Sequence, residues 1–185
     1  TIYKLYSSCF MAIKTIFLDR DGVINEEVNY LYQIEKFKFI DGVFEACLHF
    51  QKLNYKIIIV SNQSGIARGY YSEQDYKKLT SWMLNQFELK SISILGAFYC
   101  PHDPDSICNC RKPKPGMLID AKHKHNISME ESWMIGDKET DISAANNAGI
   151  KKTILVKSGH ENDELNSNAR HIINSIKESK DVISF

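Results

Sequence analysis

The sequence predicts an α/β fold, an open, doubly wound parallel sheet with helices on both faces. Two observations lead there. Short apolar runs rich in β-branched and aromatic residues recur along the 185 residues, as the strands of a parallel sheet buried on both faces should. Amphipathic helical patterns separate them, and strand–helix alternation is the signature of a parallel sheet. A chain of this length buries roughly 70% of its unfolded surface, so it is read as one domain, residues 1–185, that needs no covalent staples.

The predicted strands, in order, are Lys14–Leu18, Lys56–Val60, Leu95–Tyr99, Ser132–Ile135 and Lys152–Val156. The predicted helices are Val43–Leu53, Ser72–Glu88, Gly116–His125 and Thr140–Ala148. Ser72 followed by Asp75 reads as an N-cap with an acidic first turn, and Gly149 as a helix stop. The long connection 26–40 carries an alternating FKFI, which suggests a small β-excursion beside the mouth of a site. No insertion is large enough for a cap domain. The tail after Glu161 is expected to add a short helix, an edge strand at His171–Ile173 and a final helical turn.

Composition excludes several classes. Lys plus Arg and Asp plus Glu are both 23, for a net charge of zero, so there is no electrostatic footprint for nucleic acid or an anionic membrane. No apolar stretch reaches the length of a membrane span. Residues 1–10 do not read as a signal peptide; Met11 is read as the natural start and the residues before it as upstream sequence. A monomer in a reducing cytoplasm is the expectation.

Ligands of open α/β sheets bind at the carboxyl ends of the strands, and four polar clusters fall at such ends. Asp19-Arg20-Asp21-Gly22 follows the first strand. Two carboxylates at i and i+2 leave the strand on one side, so one can attack phosphorus while the other exchanges a proton with the leaving oxygen. Gly22 allows a tight exit close to a ligand. Ser61-Asn62-Gln63-Ser64-Gly65 follows the second strand and offers donors to phosphate oxygens. Arg111-Lys112 precedes a helix and supplies cations for a phosphoryl group. Gly136-Asp137-Lys138-Glu139-Thr140-Asp141 follows the fourth strand, where Asp137 would complete an oxygen-rich Mg²⁺ site with Asp19. Asp141 is read as structural, capping a helix or orienting Lys138 or the metal shell. Arg20 is read evenly as a site residue or a strand-end charge. A fifth constellation is local: Cys100-Pro101-His102 followed by Cys108-Asn109-Cys110. Three thiolates and one imidazole match a closed tetrahedral Zn²⁺ site, and the loop leads straight into Arg111 and Lys112, whose position it would fix. Cys9 and Cys47 are read as ordinary.

The four clusters, in this order, resemble the motifs of the haloacid dehalogenase (HAD) superfamily, with its Rossmann-like fold, over about Lys14 to Ser158. The segments FLDRDGVIN, VSNQSGIARGYYSE, CPH, CNCRKPKPGML and MIGDKETD are similar to the D-glycero-D-manno-heptose 1,7-bisphosphate 7-phosphatase family; SGIARG separates them from the nearby histidinol-phosphate phosphatases, the alternative reading. Ser61 and Val23 stand where that family more often has Thr, and the two zinc-ligand pairs are closer together than in some members. The resemblance implies a catalytic set of Asp19 as nucleophile, Asp21 as general acid/base, and Ser61 and Lys112 as phosphoryl holders. It implies Mg²⁺ on Asp19, the Asp21 carbonyl and Asp137, and Zn²⁺ on Cys100, His102, Cys108 and Cys110. It places Glu27, Val28, Asn29 and Tyr30 as a wall near the sugar, with packing of the excursion as the other reading for Val28 and Tyr30. Asn62, Gln63 and Ser64 would line the phosphate side, Arg111 would meet the substrate's second end, and Lys138 would contact substrate or phosphate. Arg68 stays unassigned between the second phosphate and an outside ion pair. The implied substrate is a small phosphorylated sugar of a bacterial lipopolysaccharide or capsule route. Asp21 must be protonated for its first step, which calls for surroundings that raise its pKa.

Overall fold

The computed structural model describes residues 12–161 and 163–184. Cys9, the sequence before Met11 and Met11 itself lie outside the described residues. Six parallel strands, β1 (Thr15–Leu18), β2 (Lys56–Asn62), β3 (Ile94–Cys100), β4 (Trp133–Gly136), β5 (Lys152–Val156) and β6 (His171–Ile173), form one sheet in the order β3-β2-β1-β4-β5-β6. The chain winds outward from β1 to β3, then returns to the other side of β1. The carboxyl ends of β1 and β4 therefore diverge at a switch point, where a doubly wound sheet opens a crevice.

Alternation along β1 feeds two cores. Ile16 and Leu18 join Val43, Phe50, Leu79 and Phe87 from α1 (Val43–Lys52) and α2 (Glu73–Glu88). Phe17 faces the other way, with Met117, Leu118 and Ala121 of α3 (Gly116–His125) and Ala144 and Ala145 of α4 (Glu139–Asn147). Each such large apolar side chain, fully buried, is worth about 1.5–3 kcal/mol relative to exposure. The Ser72–Asp75 capping box forms at the start of α2, with Asp75 N donating to Ser72 Oγ at 3.1 Å and Ser72 N to Asp75 Oδ2 at 2.9 Å.

Two strands outrun their apolar runs. β2 continues through Ser61 and Asn62, and β3 through Cys100, because Ser61 pairs with Tyr99 and Asn62 with Cys100 in register. The predicted β-excursion shrinks to an antiparallel bridge, Asn25 with Phe39, flanked by Glu26 N donating to Lys38 O at 2.9 Å and a 3-10 turn at Ile34–Lys36. The tail follows expectation: a 3-10 turn at Glu164–Asn166, the edge strand β6 and a last short helix, α5 (Ser179–Val182). Among the described residues no insertion forms a cap over the crevice.

Candidate active site

Asp19 leaves the end of β1, and Lys112 reaches it from the loop ahead of α3. Lys112 Nζ donates to Asp19 Oδ1 at 2.8 Å, to Val60 O at 2.8 Å and pairs with Asp141 Oδ1 at 2.7 Å. All three side chains are buried. Burial disfavours the Lys112 ammonium, but the charges of Asp141 and Asp19 outweigh it and hold the pKa above the ordinary lysine value. The Lys112 peptide is clamped as well: Asn62 Nδ2 donates to Lys112 O at 3.1 Å and Lys112 N donates to Asn62 Oδ1 at 3.0 Å.

Asp19, Asp137 and Asp141 each bring a carboxylate oxygen within 4.8 Å of the others. Burial, and then the charges of Asp141 and Asp21, push Asp19 up to about 6 against the pull of Lys112. Burial, Asp19 and Asp141 push Asp137 up to about 7. Buried oxygens that repel one another suit a hard divalent cation such as Mg²⁺, so Asp19 and Asp137 fit the predicted metal site. Asp141 is the third acid of this cluster. Its Oδ1 is held by Lys112, and its Oδ2 accepts from Lys138 N at 3.0 Å, capping α4.

The surroundings of Asp21 differ from expectation. Burial alone would raise its pKa, but the Arg20 charge and hydrogen bonds from Asn25, Arg20 and Gln63 outweigh burial and hold it below the usual carboxylate range. Arg20 donates to Asp21 Oδ1 through Nη2 at 2.9 Å and Nε at 3.2 Å, and Nη2 also meets Leu31 O at 3.1 Å. Asn25 Nδ2 reaches Asp21 Oδ1 at 3.0 Å and Gln63 Nε2 reaches Oδ2 at 3.1 Å. Arg20 is thus a buried part of the site and not a strand-end charge. Tyr71 OH donates to Gln63 Oε1 at 2.6 Å, which turns the Gln63 amide nitrogen toward Asp21 and Ser61.

A cavity of about 540 Å³ opens over these groups. Asp19, Asp21, Glu27, Val28, Asn29, Tyr30, Asn62, Gln63, Ser64, Arg111, Lys112 and Lys138 all line it. Ser61 and Asp137 are buried behind that lining, within hydrogen-bond reach of its members Gln63 and His160. Arg111, Lys114 and Lys138 put cations on the cavity wall. Arg68 is outside the lining, pairing with Asp103 at 3.3 Å and donating to the OH of the lining residue Tyr30 at 3.0 Å.

Cys100, His102, Cys108 and Cys110 converge, with one donor atom from each within 4.8 Å of the rest. The Cys100–Cys108 and Cys100–Cys110 sulfurs stand 3.8 and 3.1 Å apart, and His102 Nδ1 lies 3.4 and 3.2 Å from Cys100 and Cys110. Tetrahedral bonds of about 2.0–2.3 Å would set such edges at roughly 3.3–3.8 Å, so the 3.4 and 3.8 Å edges match and the two edges at Cys110 are tighter. Three thiols and one imidazole converging on one point are a donor set of the type that holds one metal ion. The loop also grips the cations: Arg111 Nη1 donates to His102 O at 3.4 Å, Lys114 Nζ to Cys108 O at 2.5 Å and Gly116 N to Asn109 O at 3.0 Å.

Sequence reasoning missed three contributors: the Asp141–Lys112 ion pair, Tyr71, and His160, which hydrogen-bonds Asp137. Only His160 left a readable signal, since it sits in the loop just past Val156, at the carboxyl end of β5, where a ligand-facing residue is expected.

Known proteins are similar to this chain over most of its length. An α-anomer-named D-glycero-D-manno-heptose-1,7-bisphosphate 7-phosphatase of Photorhabdus laumondii subsp. laumondii is 48% identical over 164 residues, 85% of this chain and 90% of the relative. The chain belongs to the heptose-bisphosphate phosphatase family. A β-anomer-named phosphatase of the same organism is 44% identical over 172 residues, covering 89% of this chain and 92% of the relative. The family's fold is matched in a D,D-heptose 1,7-bisphosphate phosphatase of B. bronchiseptica solved with magnesium and phosphate, at a TM-score of 0.81 and 26% identity over 89% of this chain and 94% of that one. A HAD-hydrolase-like family model matches residues 109–179.

Proposed function

We propose that this chain hydrolyses the 7-phosphate of D-glycero-D-manno-heptose 1,7-bisphosphate with Mg²⁺, through a phospho-aspartate on Asp19. The observation that carries the reading is the union of Asp19, Lys112 and the Asp137–Asp141 acids at the floor of one cation-walled cavity. The relatives' names supply the sugar.

Asp19 attacks phosphorus in line as the bond from phosphorus to the sugar's primary oxygen breaks. Asp21 gives that oxygen a proton. In the second step Asp21 takes a proton from water as the water attacks phosphorus, and phosphate leaves Asp19 free. Lys112 and Ser61 meet charge on the equatorial oxygens, where stabilisation counts most. Mg²⁺, held by Asp19, the Asp21 carbonyl and Asp137, supplies charge neutralisation and substrate orientation when bound. The hydrogen bonds around Asp21 favour its anionic form, which suits the base role of the second step. A phosphate dianion entering beside it pushes its pKa the other way, toward the acid role of the first.

Cys100, His102, Cys108 and Cys110 hold Zn²⁺, which folds the loop and fixes Arg111 and Lys112. Arg111, Lys114 and Lys138 receive the second phosphate, while Glu27, Val28, Asn29 and Tyr30 face the sugar. Asn62, Gln63 and Ser64 flank the transferred phosphate. Reduced thiols suit the cytoplasm, and no described helix is long and apolar enough to cross a membrane. The enzyme acts as a monomer of one domain on a small substrate, without nucleic acid. Histidinol phosphate is disfavoured because its ammonium would meet those same cations. A phosphate-release assay on both heptose anomers and on histidinol phosphate tests the reading. Mg²⁺-dependent release from a heptose bisphosphate, well above histidinol phosphate, is expected; preference for histidinol phosphate would overturn it.

A further inference from the structure

His160 belongs to none of the motifs above, yet it touches Asp137 twice. Its backbone N donates to Asp137 Oδ2 at 3.1 Å, and its Nδ1 lies 2.6 Å from the same oxygen. A carboxylate that holds a cation is ionised and only accepts, so in the metal-binding state Nδ1 supplies the proton of this contact. The far ring nitrogen, Nε2, stands 3.8 Å from Glu27 Oε1. The loop holding His160 is itself anchored to the first motif, because Ser158 Oγ donates to Gly22 O at 2.7 Å. The Asp137 carboxylate sits in a slot between Gly22 and Gly159, and a Cβ on either glycine would run into Asp137 Oδ2. One carboxylate oxygen is therefore walled in by glycine backbone and bonded by a histidine.

We infer that His160 is a positioning residue for the metal: it fixes the Asp137 carboxylate so that its other oxygen is turned to the cation shared with Asp19. This inference deepens the phosphatase reading and rests on it for the identity of the metal. The physical reason is that an oxygen already accepting two protein hydrogen bonds has little capacity left for a cation, while a carboxylate locked in rotation loses no freedom on binding one. Partners of this kind behind a metal ligand commonly set metal affinity by about 10–100-fold. In this inference His160 acts through Asp137, so its effect should fall on Mg²⁺ affinity more than on the chemical step.

The test is Mg²⁺ binding to the full-length protein by titration calorimetry, without substrate, beside phosphate release as a function of Mg²⁺ concentration. His160→Ala is expected to weaken Mg²⁺ binding about tenfold or more. Its phosphate-release curve should move along the Mg²⁺ axis by a similar factor, with a smaller fall in the plateau. His160→Leu, which keeps volume but no donor, should follow His160→Ala and so separates the hydrogen bond from a packing hole. His160→Asn, whose side-chain amide can donate in place of Nδ1, should recover most of the affinity. Wild-type Mg²⁺ affinity in His160→Ala and His160→Leu would overturn the inference, as would a loss in His160→Asn equal to theirs. Should the wild-type protein bind Mg²⁺ but release no phosphate from heptose bisphosphate, the proposed function fails, and the calorimetric ranking of the variants still decides the role of His160.

Discussion

Lys112 offers the sharpest experimental handle on the site, although its side chain is only 3% exposed to solvent. Lys112→Met keeps the length of the side chain and removes its charge. Asp19 and Asp141 then lose an ammonium at 2.8 and 2.7 Å, and Val60 O loses a donor. Removing one partner of a buried ion pair costs about 3–5 kcal/mol, because an uncompensated charge stays behind. For a chain of this size that corresponds to a fall in Tm of about 6–20 °C. Protonation of the stranded carboxylates offsets the cost, so the loss should be large at pH 8 and smaller at pH 5. Turnover should fall by at least about 10²–10³, the usual cost of one donor to transition-state charge. Denaturant unfolding without Mg²⁺ at the two pH values, followed by phosphate release, measures both. A variant as stable as wild type at pH 8 that keeps more than a tenth of its turnover would refute the role assigned to Lys112.

Three further outcomes follow from the same geometry. The carboxyls of Asp19 and Asp137 titrate at about 6 and about 7 when folded, against an ordinary value of 3.8. Acids raised in this way favour the folded state at low pH and lose that contribution as pH climbs through their folded values. Without Mg²⁺ the protein should lose stability between about pH 4 and 7, so the rise in Tm on adding Mg²⁺ should be small at pH 5 and large at pH 8; an equal rise at both would contradict the cluster. Arg20→Met strands Asp21 without its cation and should destabilise the protein by about 3–5 kcal/mol, read by denaturant unfolding; a change under about 1 kcal/mol would argue against the pairing. Cys108→Ser should lower bound zinc by elemental analysis and cut phosphate release without abolishing it, since none of the four zinc ligands lines the cavity; full zinc and full activity would count against the metal assignment.

How much of this was written in the sequence depends on the reach of each interaction. The metal loop was legible because its four donors lie within eleven residues, and Ser72 with Asp75 because a capping box spans one helical turn. The strand-end clusters were legible because an apolar run followed by a polar cluster marks a strand meeting a crevice. Strand ends were less so: Ser61, Asn62 and Cys100 look like loop residues, yet their neighbours' backbones extend the ladder. The state of Asp21 was unreadable, because it depends on Gln63, 42 residues away, and on an arginine whose direction only the fold fixes. Likewise Asp141 meets Lys112 because α3 and α4 share a face of the sheet. Arg68 could not be assigned between a phosphate and an ion pair, because only folding brings Asp103 and Tyr30 beside it.

The central claim is that Asp19 is the nucleophile, and Asp19→Asn tests it most directly. Its turnover of heptose 1,7-bisphosphate, measured at saturating Mg²⁺ in protein with a wild-type unfolding transition, should fall by at least about 10⁴-fold, as removal of a nucleophile does elsewhere. Turnover within tenfold of wild type would contradict it.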